Sequence, residues 1–285
     1  MINVNGHSGC SLEISQKRYK TVLRKSSPTQ KYSARLKLQA LKQRSFIPTH
    51  CILSPNISDE GYSGDNYWFE MDYIHGYDFI SFVERAGPRE LEHFWEVLRA
   101  FLLREISQSE VVPYPRAAFI TKVDQVSSMI TTRHKTIERA ISYIRDFDSS
   151  SPFLSGTCHG DLTFSNMVIS KDVSKIYFID FLDNFYDTPI QDIVKIRQDT
   201  LHGWTLRKYT RQFDFVKTDI VFKFLDRKLI SFIRESSILT EFYKPMQLLS
   251  LLRILVYTTD TDTYNYLIKC LEYELANEFD ITNSG

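Results

Sequence analysis

Near the start of the chain apolar and polar residues alternate over Ser11-Leu12-Glu13-Ile14-Ser15, and Tyr19-Lys20-Thr21-Val22-Leu23-Arg24-Lys25 is rich in β-branched and aromatic residues; both patterns predict strands. Pro28 ends the second of them, and Lys31 to Arg44 contains no breaker, which predicts a helix. A turn-rich segment from Ser54 to Asn66 leads into Tyr67-Trp68-Phe69-Glu70-Met71-Asp72-Tyr73-Ile74-His75-Gly76, an apolar strand and a turn. After Gly87-Pro88 the period changes. Leu91, Phe94, Trp95, Leu98, Phe101 and Leu102 have helical spacing, and Val126, Ile130, Ile137, Ile141 and Ile144 form a second such stripe, closed by Ser149-Ser150-Ser151-Pro152. Ile220-Val221-Phe224-Leu225-Phe232 and Leu248-Leu249-Leu252-Leu255-Val256 predict closing helices, the latter apolar nearly all round and therefore buried.

Between the second stripe and the closing helices, the stretch Cys158 to Asp180 carries the chemistry. His159, Asp161 and Asn166 fall in one short loop, and Asp180 ends the apolar run Ile176-Tyr177-Phe178-Ile179. Phosphoryl transfer from a nucleotide needs a carboxylate to orient and deprotonate the attacking hydroxyl, and hard oxygen ligands to hold magnesium against the phosphates. Asp161 and Asn166 have the D-x-x-x-x-N spacing of a kinase catalytic loop, and Asp180-Phe181-Leu182 stands where a kinase carries Asp-Phe-Gly. An ordinary turn capped by Thr163 or Ser165 is the plain alternative. It does not account for a strand ending in aspartate at the right distance.

The loop His159-Gly160-Asp161 with Asn166, followed by Ile179-Asp180-Phe181, resembles the aminoglycoside phosphotransferase and choline kinase family of small-molecule kinases. The resemblance implies an α+β, protein-kinase-like fold: a small β-rich N-terminal lobe over residues 1–75 and a larger, mainly helical C-terminal lobe over residues 76–285. It implies transfer of the ATP γ-phosphate, with Mg2+, to a hydroxyl of a sugar, polyol, amino sugar or amino alcohol. Asp161 then serves as the base with His159 beside it, and Asn166 and Asp180 hold the metal. Gly6 and Gly9 lie in the nucleotide-covering loop, while Met71, Asp72 and Ile74 form the hinge that receives adenine. The basic residue of the third strand falls on Arg24, with Lys25 as the fallback. Asp192 matches a structural aspartate, and Gln198, Asp199, Trp204 and Arg207 are candidates for the acceptor side. Leu162-Thr163-Phe164-Ser165 is similar to members found with bacterial surface-glycan genes, which favours a sugar or polyol. No Ala-Pro-Glu segment follows Asp180, which argues against a protein substrate.

One feature of the family is missing. No glutamate lies between residues 14 and 59, so Arg24 is expected to lack the ion pair that a helix acid normally supplies, with Gln39 or Gln43 as neutral acceptors. The reading from another class is therefore a nucleotide-binding pseudokinase acting as a scaffold.

Composition narrows the rest. With 285 residues and 43% hydrophobic content, the chain is long and apolar enough for a real core. Its net charge is zero but divided: residues 1–58 hold ten basic residues against Glu13, and the remainder is acidic by the same margin. The cations coincide with the expected nucleotide lobe and the acidic remainder repels a polyanion, so no nucleic-acid partner is expected. Arg253 interrupts the greasiest stretch and the start lacks the regions of a signal peptide, so a cytoplasmic protein without a membrane span is expected. Cys10, Cys51, Cys158 and Cys270 are scattered, as befits reduced thiols rather than a zinc or redox site.

Overall fold

The computed structural model describes residues 2–5, 9–17, 19–207 and 209–277; Gly6 of the expected nucleotide-covering loop lies outside the described residues. In chain order the elements are β1 (Ile2–Asn5), β2 (Ser11–Lys17), β3 (Lys20–Ser26), α1 (Gln30–Ser45), β4 (Ile52–Leu53), β5 (Ile57–Ser63), β6 (Asn66–Asp72), β7 (Gly76–Asp78), α2 (Phe79–Arg85), α3 (Pro88–Ser107), β8 (Glu110–Pro113), α4 (Arg116–Met129), α5 (Lys135–Asp146), β9 (Pro152–Ser155), β10 (Met167–Ser170), β11 (Ile176–Phe178), α6 (Pro189–Thr200), α7 (Trp204–Arg207), α8 (Phe215–Arg234), α9 (Ser237–Leu255) and α10 (Thr261–Ala276). They gather into two compact units. One comprises Met1–Phe101, His159–Asn184 and Arg211–Thr218, the other Leu102–Cys158, Phe185–Thr210 and Asp219–Gly285. The loop with the chemistry thus belongs to the same unit as the N-terminal strands, although more than half the chain separates it from the first of them.

In the first unit an antiparallel sheet runs in the order β1-β2-β3-β6-β5. Its register places Leu23 opposite Met71, Arg24 opposite Glu70 and Lys25 opposite Phe69. Side chains alternate across a strand, so Leu23 and Lys25 share one face with Phe69 and Met71, while Arg24 shares the other with Glu70 and Trp68. The first face is covered by α1. Thr29 caps that helix by accepting the Tyr32 amide at 3.3 Å, and Leu36 and Ala40 pack fully buried with Cys10, Tyr67, Phe69 and Met71. Burial of a leucine side chain of this kind contributes about 2 kcal/mol. A second sheet, β4-β11-β10-β7, pairs β11 in parallel with β4 and antiparallel with β10. Thus the chain just after α1 is stitched to the strand that leads to Asp180.

In the second unit α9 carries the core. Leu248, Leu249, Leu251, Leu252 and Leu255 are buried, as its all-round apolar pattern requires. The stripe from Val126 to Ile144 is not one helix. It is α4 and α5, separated because Ile130 caps the first in an extended conformation and the His134 ring accepts the Thr136 amide to start the second. The seven-residue step from Ile130 to Ile137 keeps helical phase across the break, so periodicity alone does not reveal it.

Every residue of α6 is buried, polar ones included. Two of them have partners from α8 and α9: Arg197 meets Asp226 at 3.3 Å and lies over the Tyr243 ring, and Thr200 donates to Asp226 at 2.9 Å. Gln198 and Asp199, expected on the acceptor side, are fully buried, and Asp199 accepts the Thr205 amide at 2.6 Å to start α7. The expectation of substrate contact is therefore corrected at these two residues: a polar stripe reads as solvent-facing only until its internal partners are known. Asp192 is buried, while Trp204 is half-buried and Arg207 exposed over the Tyr266 ring.

The buried pair His202–Glu274, at 2.9 Å, makes a pH prediction. Burial alone would lower the imidazole, but the Cys270 thiol and the Glu274 carboxylate outweigh it and raise it to about 9. A raised folded value means that the stabilisation is complete below about pH 6.5 and is lost as pH climbs through about 9. Urea unfolding at pH 7 and pH 10 is expected to show a loss in the wild type exceeding that in His202→Gln by at most about 3 kcal/mol. Equal losses would remove the pair from the account.

The four cysteines are free thiols. Among the described residues no helix is long and apolar enough to cross a membrane.

Candidate active site

The loop between β9 and β10 is held by its own apolar residues. Leu162 and Phe164 are fully buried, and Phe164 stacks on Phe79 with ring centroids 3.9 Å apart and meets Phe94 edge-on. Ser165 is left exposed at the tip. Within this frame the Thr163 amide donates to the Asp161 carbonyl at 2.7 Å, and the Asn166 amide donates to the Thr163 carbonyl at 3.0 Å. The Asn166 side-chain nitrogen then reaches back to the Asp161 carbonyl at 2.7 Å and to its carboxylate Oδ2 at 3.2 Å. Since the nitrogen of that amide is committed to Asp161, its oxygen is the group left to act as a ligand.

His159 ties this loop to the next strand. Its Nε2 donates to the Ile179 carbonyl at 2.8 Å and its Nδ1 accepts the Asp161 amide at 3.3 Å. A carbonyl can only accept and an amide N–H can only donate, so the ring is the neutral Nε2–H tautomer. Burial agrees, pushing the imidazole down to about 4 against the weaker opposing pull of Asp161. The Ile179 amide in turn donates to the Asn166 carbonyl at 3.0 Å, which sets Asp180 directly beside Asn166 in the fold. Asp180 has a φ of 59°, a left-handed conformation that costs a non-glycine residue roughly 1 kcal/mol or more. Gly160 has a φ of 92°, and a Cβ there would lie 2.2 Å from the Leu182 carbonyl oxygen. Only glycine lets the loop and the Asp180 turn approach this closely.

Lys25 completes the cluster. Its Nζ lies 3.0 Å from Asp180 Oδ1, with the lysine side chain 5% and the aspartate 50% exposed. Burial pulls the ammonium down, but the facing carboxylate outweighs it and holds the group above its ordinary value. Arg24 is placed elsewhere. Its Nε and Nη2 both donate to Glu70 Oε1, at 3.0 and 2.7 Å, and its guanidinium lies 3.9 Å above Trp68, while Lys17 takes the other carboxylate oxygen. So Arg24 does have an acidic partner, from β6 rather than from the helix, and it faces away from Asp180. Alternation puts Arg24 on the same face as Val22, but it does not say which face turns toward α1. Glu70 is the residue missed, and its position opposite Arg24 depends on a strand pairing that spans 46 positions.

The other expected contacts divide. Gly9 has a φ of 77° just before β2. The Met71 side chain is buried under α1, where its sulfur meets the Gln43 amide. Asp72 is paired with Lys20 at 2.7 Å, its amide donates to the Asn56 carbonyl, and the Tyr73 amide donates to the Thr21 carbonyl. Ile74 lies past the end of the strand. Neither Gln39 nor Gln43 takes the role of the absent glutamate toward Arg24: Gln43 donates to the Pro55 carbonyl at 2.8 Å, and Gln39 is buried.

The oxygen set suits magnesium. An amide oxygen from Asn166 and a carboxylate from Asp180 are hard donors, and two protein ligands with phosphate oxygens completing the shell is how this ion is commonly held. Among the described residues no group of three or more His, Cys, Asp or Glu forms a self-sufficient metal cluster.

No family model and no curated protein sequence matches the chain. Solved structures do. An ethanolamine kinase from Plasmodium vivax aligns with a TM-score of 0.53 at 13% identity, covering 96% of this chain and 81% of that one. A spectinomycin phosphotransferase in complex with ADP and spectinomycin aligns at 0.56 and 12% identity over 98% and 93% of the two chains. A type I macrolide 2'-phosphotransferase aligns at 0.56 and 14% identity over 95% and 90%. The chain has the α+β, protein-kinase-like fold of the aminoglycoside phosphotransferases and ethanolamine kinase.

Proposed function

We propose that this chain is a small-molecule kinase that transfers the γ-phosphate of ATP, with Mg2+, to a hydroxyl of a sugar, polyol, amino sugar or amino alcohol. The observation that carries the reading is the gathering of Lys25, Asp161, Asn166 and Asp180 in one compact unit, Lys25 joined to Asp180 and Asn166 to Asp161. The acceptors in the names of the similar structures, ethanolamine, spectinomycin and a macrolide, support a small molecule.

In the proposed step the acceptor oxygen forms a bond to the γ-phosphorus, the bond to the β–γ bridging oxygen breaks, ADP leaves, and Asp161 takes the hydroxyl proton. Asn166 keeps the Asp161 carboxylate oriented through its nitrogen and offers its oxygen, with Asp180, to the metal. The chemistry that bound Mg2+ supplies is neutralisation of charge on the phosphate oxygens. His159, neutral at both ring positions' partners, moves no proton at pH 7 and instead fixes the Asp161 amide relative to Ile179. Lys25 binds phosphate oxygens as a point charge, and the Ile74 backbone receives the adenine edge. A cytoplasmic location, where ATP is available, goes with this reading. The experiment is a screen of ATP consumption against pooled sugars, polyols, amino sugars and amino alcohols. Turnover with one pool and not the others names the acceptor class; ATP binding with no turnover in any pool would leave nucleotide binding alone.

The lysine assignment has its own test. Lys25→Met is expected to raise the Michaelis constant for ATP by about tenfold or more, whereas Arg24→Lys changes it by less than about threefold. Because Asp180 is half exposed, its loss of a partner costs little, and a buried methionine in place of a buried ammonium leaves stability near the wild-type value or above it. Steady-state kinetics with the opposite ranking would move the phosphate contact to the other face of β3.

A further inference from the structure

Helix α1 carries Lys31, Arg35, Lys37, Lys42 and Arg44 and no acidic residue, so it has no carboxylate to offer Lys25. It is nonetheless attached to the catalytic turn by a different pair of contacts at its C-terminal end. Lys42 Nζ donates to the Leu182 carbonyl at 3.0 Å, and Phe46, the extended residue that caps the helix, packs against Phe181 with ring centroids 5.3 Å apart. Phe181 also lies 4.3 Å from the His159 ring and is almost fully buried. Leu182 is thereby fixed at both polar groups: its amide donates to the His159 carbonyl at 3.0 Å and its carbonyl accepts from Lys42. Both residues directly follow Asp180, whose left-handed backbone needs support from its surroundings to persist.

We infer that Lys42 is a positioning residue, which holds the Asp180-Phe181-Leu182 turn onto α1 and so aims the Asp180 carboxylate, in a chain whose helix has no acid to do so. The assignment rests on the kinase reading. A charge-assisted donor to a strained turn's carbonyl limits the turn's opening, and the metal affinity of Asp180 then depends on a side chain that touches neither metal nor nucleotide. The orientation is the reverse of an acid-to-lysine clamp: here the helix donates and the turn accepts.

Two variants separate this from general support of the fold. Lys42→Met keeps the aliphatic stem and removes the donor; Lys42→Arg keeps a donor. Titration calorimetry with ATP, in the presence and absence of Mg2+, gives the first readout, and hydrogen exchange over residues 179–184 gives the second. In Lys42→Met the gain in ATP affinity conferred by Mg2+ should fall by about tenfold while metal-free binding stays within about twofold. Exchange at the Leu182 amide should rise by about tenfold. Lys42→Arg should recover both to within about threefold of the wild type. A Lys42→Met protein that matches the wild type in both readouts overturns the role of Lys42 alone. An equal loss of affinity with and without Mg2+ makes Lys42 a mere support of the fold and also overturns the role. A wild-type chain that takes up no ATP in either condition overturns the kinase reading and this role with it.

Discussion

Asp161→Asn is expected to lower phosphate transfer by about a hundredfold or more while ATP affinity stays within about twofold of the wild type. The substitution is nearly isosteric, and the loop has restraints that do not pass through the carboxylate. The Asp161 carbonyl accepts from Asn166 and from the Thr163 amide, the Asp161 amide donates to His159, and the buried Leu162 and Phe164 anchor the backbone that follows. The contact between Asn166 and the carboxylate oxygen, at 3.2 Å, can be kept, because an asparagine oxygen accepts there as well. What is lost is the ability to take a proton. The measurement is single-turnover transfer to the acceptor found in the screen, together with calorimetric ATP binding. A variant that turned over at the wild-type rate would show that another group removes the proton.

Much of this site was legible because it is local. The loop from His159 to Asn166 and the strand leading to Asp180 lie within about twenty residues, and short-range spacing determines which groups can meet. The α+β order of elements was legible for the same reason, since period two and period 3.6 are properties of single segments. Where sequence reasoning failed, the missing information was long-range. Arg24 and Lys25 are neighbours on one strand, and nothing in their local pattern says that β6 brings Glu70 to one face while the other face turns to α1 and Asp180. Arg197 of α6 looks solvent-facing from its local pattern until α8, α9 and α10 supply Asp226, Tyr243 and Glu274 around it. The break between α4 and α5 was hidden because the apolar phase continues across it. Periodicity reports the side a residue faces and says little about whether the backbone between two such residues is unbroken.

Asp180→Ala is expected to abolish the Mg2+-dependent part of ATP binding, a loss of about a hundredfold or more, because Asp180 is the carboxylate that stands with Asn166 as a magnesium donor. Metal-free ATP binding should survive and even strengthen a few-fold. In the free protein Asp180 occupies the ammonium of Lys25, at 3.0 Å, and a nucleotide must displace it to bring its own phosphates there. Removing the carboxylate removes this competitor. It also leaves a buried ammonium without its counter-charge, at a cost of about 3 kcal/mol or more unless the lysine loses its proton, and the raised value that Asp180 gives Lys25 then reverts toward what burial dictates. The stability of Asp180→Ala should therefore fall, and ATP without metal should restore part of it. The double variant Lys25→Met/Asp180→Ala should regain most of the lost stability while binding ATP poorly in either condition. Calorimetry with and without Mg2+, run beside denaturant unfolding of the two single variants and the double, decides the matter. Unchanged Mg2+ dependence in Asp180→Ala would take the metal away from Asp180, and a double variant no more stable than Asp180→Ala would show that the buried ammonium never depended on it.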